Sequence, residues 1–117
     1  MSAAGESADP LAAFRSLDLR VGTVRAARPN AGARQPAYEL EIDLGGERGV
    51  VRSSAQLTAN HACEELVGRQ VVVLCGLPPR RVAGVRSEVL VLAAVCPARG
   101  AVLLGPAAPV ADGAPVA

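Results

Sequence analysis

The chain has 117 residues and a mass of 11.8 kDa, which fits one domain and hardly two. Half of its residues are hydrophobic and a fifth are charged, so a packed core is expected and wholesale disorder is excluded. The net charge is +1, so bulk charge does not indicate a nucleic-acid-binding protein. The aromatic residues are Phe14 and Tyr38 alone, which excludes recognition by a row of rings stacked on bases.

The termini and apolar runs indicate no targeting signal and no membrane span. The first ten residues contain two acidic residues and no basic one, and they lack the apolar stretch of a secretory signal. The apolar runs at 71–77 and 89–96 are much shorter than the roughly 18 residues that a span requires. We therefore expect a cytoplasmic protein. Cys63, Cys75 and Cys96 imply no disulfide framework, and the last two are predicted to be small core residues.

The first half of the chain predicts a short helix followed by three strands. Asp9 and Pro10 are a helix-start signal, so a helix is expected over 11–15. Residues 19–24 are predicted to form a strand in which Gly22 marks a bulge or a tight barrel bend. Residues 38–44 alternate between apolar and acidic side chains, which is typical of a half-buried strand. Two glycines then predict a hairpin turn, with a return strand over 48–53.

The second half predicts one helix and several further strands. Residues 55–68 have helical character, and 70–77 form a valine-rich run typical of a buried strand. Residues 80–85 and 88–95 are predicted to be paired strands, the second deeply buried, and 101–104 a last short strand. Five or more short strands with one helix after the third indicate a small closed β-barrel, and the OB-fold is the natural candidate.

Several segments together resemble one known family. Residues 18–24, DLRVGTV, resemble the D-x-R-V-G-x-V opening of the tRNA-binding domain family. Residues 79–90 resemble its second signature, P-R-[KR]-x-x-G-x-x-S-x-x-[ML]. Three further stretches, at 36–38, 53–56 and 87–92, are similar to the free-standing CsaA-type branch of that family. The resemblance extends from about residue 14 to residue 113, and the order and spacing of the segments make it specific.

The resemblance implies an all-β architecture, namely a five-stranded Greek-key OB-fold barrel. One short helix would lie between strands 3 and 4, and another short helix at the N-terminus. The implied organisation is an N-terminal segment (1–13), the OB-fold domain (14–105) and a Pro/Ala-rich C-terminal extension (106–117). The resemblance further implies a homodimer that binds tRNA by shape, and CsaA-type proteins are also described as export-related chaperones for unfolded or pre-secretory polypeptides. Gly76 and Glu39 depart from the family's usual asparagine and lysine, which weakens the expected RNA affinity.

Arginines supply the candidate site. Arg80, Arg81 and Arg86 lie within seven residues, and their planar guanidinium groups match phosphate oxygens. If Arg80 and Arg81 alternate across a strand, only one of them faces any given surface. The alternative interpretation is ordinary solvated charge, with a salt bridge to Glu88. Arginines also outnumber acids in the N-terminal third, ahead of an acidic block at 39–47, which predicts a basic surface opposite an acidic one.

Other residues join the site partly through the resemblance. Arg34 takes the place of a basic residue in the family's first loop, and Ser87 that of a serine implicated in tRNA contact. Leu90 takes a Met/Leu position that either packs against a base or fills the core. Arg52 and Ser53 end a strand, where a hydroxyl could contact phosphate or ribose. The alternative for the serine pair at 53–54 is that one of them caps the following helix.

Enzymatic and metal-binding functions are not supported by the residues. His61 is the one histidine, with no evident nucleophile and orienting partner, and it is predicted to be an ordinary surface residue. His61 and Cys63 lack a second ligand pair, so no metal is predicted, and no cofactor motif is present. The leading prediction is a non-catalytic tRNA-binding protein without cofactors. The alternative is a chaperone, whose sheet edges or apolar pockets accept extended polypeptide.

Overall fold

The computed structural model describes residues 9–30, 32, 36–82 and 84–117. Within these described residues, two short helices and nine strands follow one another. They are α1 (Pro10–Arg15), β1 (Asp18–Pro29), β2 (Tyr38–Asp43), β3 (Val50–Ala55), α2 (Cys63–Leu66), β4 (Gln70–Cys75), β5 (Arg80–Val82), β6 (Val85–Ser87), β7 (Leu90–Val91), β8 (Ala93–Cys96) and β9 (Gly100–Leu103).

The main sheet is a curled antiparallel sheet built around β1. Its strand order is β3-β2-β1-β4-β7, while β5–β6 and β8–β9 form separate two-stranded hairpins. The first half of β1 pairs with β4 and its second half with β2, so one long strand belongs to two sides of a half-barrel. The predicted all-β OB-type barrel is confirmed, with one short helix before the barrel and one between β3 and β4.

The core follows the alternation that the sequence predicts. Leu40 and Ile42 of β2 are fully buried, as are Val71 and Val73 of β4. The intervening residues of both strands are partly exposed, because successive side chains of a strand point to opposite faces. Leu66 of α2 is also fully buried against this cluster. The short α2 therefore supplies a core residue to the barrel.

Gly22 serves close packing rather than a bulge. A Cβ atom at this position would lie 2.6 Å from Ile42 Cγ2 and 2.8 Å from Leu44 Cδ2. Any larger residue would therefore force these two core side chains apart. The irregularity in the β1–β2 register lies beyond Gly22, between Val24 and Ala26.

Helix α1 is confirmed where it was predicted, but the second predicted helix is much shorter. The Asp9 carboxylate accepts hydrogen bonds from the amides of Leu11 and Ala12, as expected of an N-cap. Of the predicted helix over 55–68, the structure keeps only Cys63–Leu66, because strand β3 continues to Ala55 and turns follow it.

The prediction of one strand pair over 80–95 is wrong. β5 pairs with β6, then β7 crosses back to pair with β4, and β8 pairs with β9. The segment from 88 to 95 is not deeply buried either, since Val95 is 81% exposed. Cys75 is buried as predicted, and burial raises the pKa of its thiol, whereas Cys96 is only half-buried. An apolar run does not distinguish a buried strand from two short strands with exposed faces.

The C-terminal residues lie along the edge of β1 that β2 leaves free. The Val21 amide donates to the Ala114 carbonyl, and the Val116 amide donates to the Leu19 carbonyl, each at 2.9 Å. An isolated bridge joins Arg20 to Pro115. Residues 114–116 therefore form hydrogen bonds with β1 in the manner of a neighbouring strand. The predicted division of the chain into residues 1–13, 14–105 and 106–117 stays a prediction. Among the described residues, neither helix is long and apolar enough to cross a membrane.

Candidate nucleic-acid interface

Strands β5 and β6 form a two-stranded unit that we call the arginine hairpin, comprising Arg80, Arg81 and Arg86. All three arginines are exposed. Among the residues that the structure describes, none of the three has a carboxylate oxygen within 4.0 Å. Arg81 donates one hydrogen bond, 3.1 Å long, to the Gly84 carbonyl in its own turn. The guanidinium groups therefore keep most of their donors available for an anion.

The register of the arginine hairpin decides which arginines face the same way. Arg81 is the cross-strand partner of Arg86, and Arg80 is the partner of Ser87. Directly opposed residues share a face, so Arg81 and Arg86 lie together while Arg80 points to the other side. Arg80 and Arg81 thus face opposite sides, as alternation along a strand predicts. The arginine that shares a face with Arg81 is Arg86, on the opposing strand.

Arg52 is joined to the end of the arginine hairpin through Glu88. The Arg52 amide donates to Glu88 Oε1 at 2.9 Å, and the Glu88 amide donates to the Arg52 carbonyl at 2.8 Å. The Arg52 side chain is exposed, and within the described ranges no carboxylate oxygen lies within 4.0 Å of its guanidinium. The salt bridge to Glu88 that the alternative interpretation proposed is not found among the described residues, where the Glu88 carboxylate accepts from the Arg52 backbone.

The two serines of the predicted site hold the barrel together at this point. Ser53 is 1% exposed, and its hydroxyl donates to the Val89 carbonyl at 2.9 Å. The Ser54 amide donates to Ser87 Oγ at 3.4 Å. We call this line of contacts between β3 and residues 87–89 the seam. Ser53 is closed off from solvent there, whereas Ser87 is half-buried beside the arginine hairpin.

Of the remaining predicted site residues, Leu90 is exposed to solvent and Arg34 lies outside the described residues. Leu90 is 51% exposed, so it does not fill the core. Neither member of the serine pair caps α2, because Ala62 occupies the N-cap position. Glu65 instead accepts a hydrogen bond from the Ala62 amide at 2.9 Å.

Three of the described arginines in the N-terminal third, Arg20, Arg25 and Arg28, are paired with carboxylates rather than free on a basic surface. Arg28 contacts Glu41 at 2.7 Å and Glu39 at 3.1 Å, and this hydrogen-bonded guanidinium holds the pKa of Glu41 below its ordinary value. Arg25 lies 3.3 Å from two carboxylates, those of Asp43 and Asp112. The acidic outer face of β2 therefore neutralises Arg25 and Arg28, because β1 and β2 are neighbours in the sheet.

Asp18 neutralises Arg20 and Arg48. Its carboxylate lies 2.7 Å from Arg20 Nε, the pairing that their spacing on β1 predicted, and 3.0 Å from Arg48 Nη1. The hydrogen bond from Arg20 is the largest cause of a lowered pKa for Asp18. Among the described residues, the arginine hairpin, Arg52, Arg15 and Arg99 have no carboxylate within 4.0 Å of their guanidinium groups. Arg52 nevertheless lies directly opposite Glu41 on the neighbouring strand, and its charge adds to the lowering of the pKa of Glu41 by Arg28.

His61 is buried, contrary to the prediction of a surface residue. It is 7% exposed, its Nε2 lies 3.3 Å from the Leu103 amide, and its Nδ1 lies 3.3 Å from Arg69 Nη1. Burial, followed by the charge of Arg69, lowers its pKa. Within the described part of the chain, no group of three or more potential metal ligands is present.

Glu88 is the residue of this region that sequence reasoning missed. From the sequence, Glu88 is expected only to neutralise a nearby arginine. Its distance of 36 positions from Arg52 gives no sequence signal for a backbone contact. Such contacts are decided by the tertiary arrangement of strands rather than by local pattern.

Comparison with known proteins identifies the family of the chain. The family model described as "Putative tRNA binding domain" matches residues 19–115. The chain belongs to the tRNA-binding domain family. A solved CsaA chaperone from Bacillus anthracis str. Ames is 46% identical with a TM-score of 0.85, covering 92% of this chain and 96% of that one. The CsaA chaperone of Picrophilus torridus is 34% identical, also at 0.85, covering 92% and 97%.

These similarities confirm the CsaA-type resemblance that the motifs indicated. The methionine–tRNA ligase of Methanococcoides burtonii is 40% identical over 95 residues, which are 80% of this chain. The match spans only 13% of that ligase's own length. The family relationship therefore concerns the tRNA-binding domain and not the ligase as a whole.

Proposed function

We propose that this chain binds tRNA without catalysing a reaction, through the arginine hairpin and Arg52. Arg81 and Arg86 share one face of the arginine hairpin and Arg80 lies on the other, and their guanidinium groups donate to phosphate and sugar oxygens of a folded RNA. With two aromatic residues in the chain, base stacking contributes little. Membership of the tRNA-binding domain family supports tRNA as the nucleic acid.

The observation that carries this proposal is the direct opposition of Arg81 and Arg86. Like charges that face each other across two strands destabilise the pairing. Here both side chains are exposed and, among the described residues, neither has a carboxylate within 4.0 Å. A phosphate bound between them would remove this repulsion and engage two planar donor forks. The pair is therefore best explained as an anion-binding arrangement.

The test is a titration of the full chain with total tRNA over a range of salt concentrations. We expect affinity to fall steeply as salt rises, because each phosphate contact releases condensed counterions. Replacing both Arg81 and Arg86 by alanine should lower affinity and reduce the salt slope by about two, roughly one for each lost contact. Replacing Arg80 together with Arg81 tests the rest of the arginine hairpin.

The control is Arg99→Ala, which removes one exposed guanidinium from the turn between β8 and β9 and is compared with the single variants Arg81→Ala and Arg86→Ala as well as with the double variant. Arg99 is exposed and, like the hairpin arginines, has no carboxylate within 4.0 Å among the described residues. Its loss should leave the tRNA affinity within about twofold, since Arg99 lies in the turn of a different two-stranded sheet and a charge outside the site acts only through a screened field. Equal losses in the control and in the double variant would contradict the assignment, and an affinity independent of salt would contradict the function.

A second candidate function is binding of unfolded polypeptide. The two solved relatives described above are named chaperones, and the chain shares their fold. Helix α1 also has no buried side chain, so its apolar residues are available for contact. Material that co-purifies with the protein distinguishes the two functions. Release of the bound material by ribonuclease supports the RNA function, and retention of polypeptide after ribonuclease treatment supports the chaperone.

We propose in addition that the chain acts as a homodimer. Two copies of the arginine hairpin related by a twofold axis would span more of an L-shaped RNA than one copy could, which raises affinity without any new type of contact. Leu11 in the first turn of α1 and Leu17 just after the helix are 53% and 49% exposed, and they offer apolar surface for such an interface.

A further inference from the structure

We propose that Glu88 is a positioning residue of the RNA interface, whose carboxylate holds the arginine hairpin beside Arg52. This inference rests on the proposed tRNA binding and assigns a role within the same site. The carboxylate acts on the Arg52 backbone, so its function is to orient neighbouring arginines and not to contact RNA itself. It is the one acidic side chain that the structure places in the connection between β6 and β7.

The hydrogen bonds of the seam show why the Arg52 amide needs the Glu88 carboxylate as its acceptor. β3 is an edge strand of the main sheet, and the amide and carbonyl of Arg52 form hydrogen bonds away from β2, to Glu88. A second strand would normally supply both partners. Glu88 belongs to neither β6 nor β7, and it supplies one partner from its backbone and the other from its carboxylate. The two bonds are reciprocal, 2.8 and 2.9 Å long, and they join β3 to the residue that follows the arginine hairpin.

The contacts on both sides of Glu88 make the joint specific. Ser53 Oγ donates to the Val89 carbonyl on one side, and Ser87 Oγ accepts from the Ser54 amide on the other. Three consecutive residues of each segment are thus fixed against one another. Arg86 lies two residues before Glu88, so the direction in which the hairpin presents its guanidinium groups depends on this joint.

The charge of Glu88 makes the proposal falsifiable. A carboxylate beside an RNA-binding surface repels phosphate, so removal of a bystander carboxylate should strengthen binding. Within the described residues, no guanidinium nitrogen lies within 4.0 Å of the Glu88 carboxylate, so ion pairing with an arginine does not explain its presence. If Glu88 positions the arginines, shortening its side chain should weaken tRNA binding even when the negative charge is kept. If Glu88 only repels phosphate, shortening it should have little effect and removing its charge should strengthen binding.

The experiment compares Glu88→Asp with Glu88→Gln in salt titrations of total tRNA. Aspartate keeps the charge but withdraws the acceptor by one methylene, and glutamine keeps an acceptor oxygen at the same reach without the charge. We expect Glu88→Asp to bind tRNA about three- to tenfold more weakly, with a salt slope smaller by about one. Glu88→Gln should bind as tightly as the natural chain or more tightly. Glu47→Ala, an exposed acid in the β2–β3 turn, is the charge control.

A double-variant cycle distinguishes positioning from a general loss of stability. If Glu88 acts through the arginine hairpin, Glu88→Asp should have little further effect once Arg81 and Arg86 are alanines. Hydrogen exchange gives a direct structural readout, since the Arg52 amide bonds to the Glu88 carboxylate. That amide should exchange faster in Glu88→Asp than in Glu88→Gln.

The outcomes separate the two proposals. If the natural chain shows no salt-dependent tRNA binding, the proposed function fails and the role of Glu88 fails with it. If the natural chain binds tRNA and Glu88→Asp binds equally well, the positioning role alone is overturned. The same holds if Glu88→Asp lowers the affinity by the same factor when Arg81 and Arg86 are both alanine. Weaker binding by Glu88→Asp that disappears in the double-variant cycle supports it.

Discussion

At the scale of single residues, the environment of each arginine decides what it can do. Arg28 lies between two glutamates of β2, and its exposed ion pairs leave little positive charge for a ligand. Arg81 and Arg86 have the same side chain but face each other with no such partner among the described residues. The difference arises because the acids of β2 neighbour β1 in the sheet, whereas the arginine hairpin pairs only with itself.

His61 is the clearest case of one residue whose surroundings make it sensitive to pH. Its two ring nitrogens face two donors, the Leu103 amide and the Arg69 guanidinium. The neutral ring has one acceptor nitrogen, so it satisfies one of these donors, and the charged ring satisfies neither. Burial and the charge of Arg69 therefore both favour the neutral form and lower its pKa.

This arrangement predicts a loss of stability in mild acid. Because the pKa of His61 is lower in the folded chain than its ordinary value of 6.5, the unfolded chain takes up the proton first. The stability that neutral His61 contributes is therefore present above pH 6.5 and is lost as pH falls from there through the folded-state pKa. Urea unfolding across this window should show a steeper decline for the natural chain than for His61→Gln. Parallel curves for the two proteins would contradict the role of His61.

At the scale of elements, strands β1 and β4 are held by residues close to the C-terminus of the sequence. Asp112, close to the C-terminus, accepts a hydrogen bond of 2.5 Å from the buried Thr23 hydroxyl and lies 3.3 Å from Arg25 Nη2. The amide of Gln70 bonds both the carbonyl and the amide of Val110 at 2.7 and 2.9 Å. The last residues are thereby fixed against β1 and β4 like an additional strand.

Removing the Asp112 carboxylate should therefore destabilise the barrel. In Asp112→Ala the Thr23 hydroxyl, which lies in a residue only 9% exposed, loses its acceptor, and an unsatisfied buried hydroxyl costs about 1–3 kcal/mol. Asp112→Asn keeps an acceptor oxygen for Thr23 and loses only the partly exposed contact with Arg25, so it should cost less than about 1 kcal/mol. Urea denaturation of both variants measures the difference. Equal losses would indicate that the charge matters and the Thr23 bond does not.

At the scale of the whole molecule, the proposed homodimer would cover the apolar side chains of α1, none of which is buried in a single chain. Helix α1 has six residues and no buried side chain, and a helix of that length is marginal without packing. Its apolar residues gain stability only if something covers them. A second copy of the chain would do so and would place two arginine hairpins in one particle.

Light scattering should accordingly give a mass twice the chain mass of 11.8 kDa. Replacing both Leu11 and Leu17 by serine should shift the mass towards the monomer, because it removes the exposed apolar surface at α1. Val95→Ser is the matched control, since Val95 is 81% exposed on β8, in a different part of the chain. A monomer in every protein would contradict the dimer, and a dimer unaffected by the double variant would place the interface elsewhere.

The sequence by itself determined the features that depend on neighbouring residues. Alternation over 38–44 predicted strand β2 and its buried Leu40 and Ile42, Asp9 with Pro10 predicted α1, and the family motifs predicted the OB-type barrel. The arginine hairpin could be anticipated because its three arginines are close in sequence. Periodicity, capping and motif spacing are local properties, so one chain read in order contains them.

Only the tertiary structure decided which of these residues remain available. Ser53 is buried through the Val89 carbonyl, Glu88 bonds the Arg52 backbone, and His61 is enclosed beside Leu103. The partners in these three contacts are separated by 36 to 42 positions, and no local pattern specifies them. Sheet order and barrel closure bring such residues together, because edge strands and buried polar groups require partners from wherever the fold supplies them.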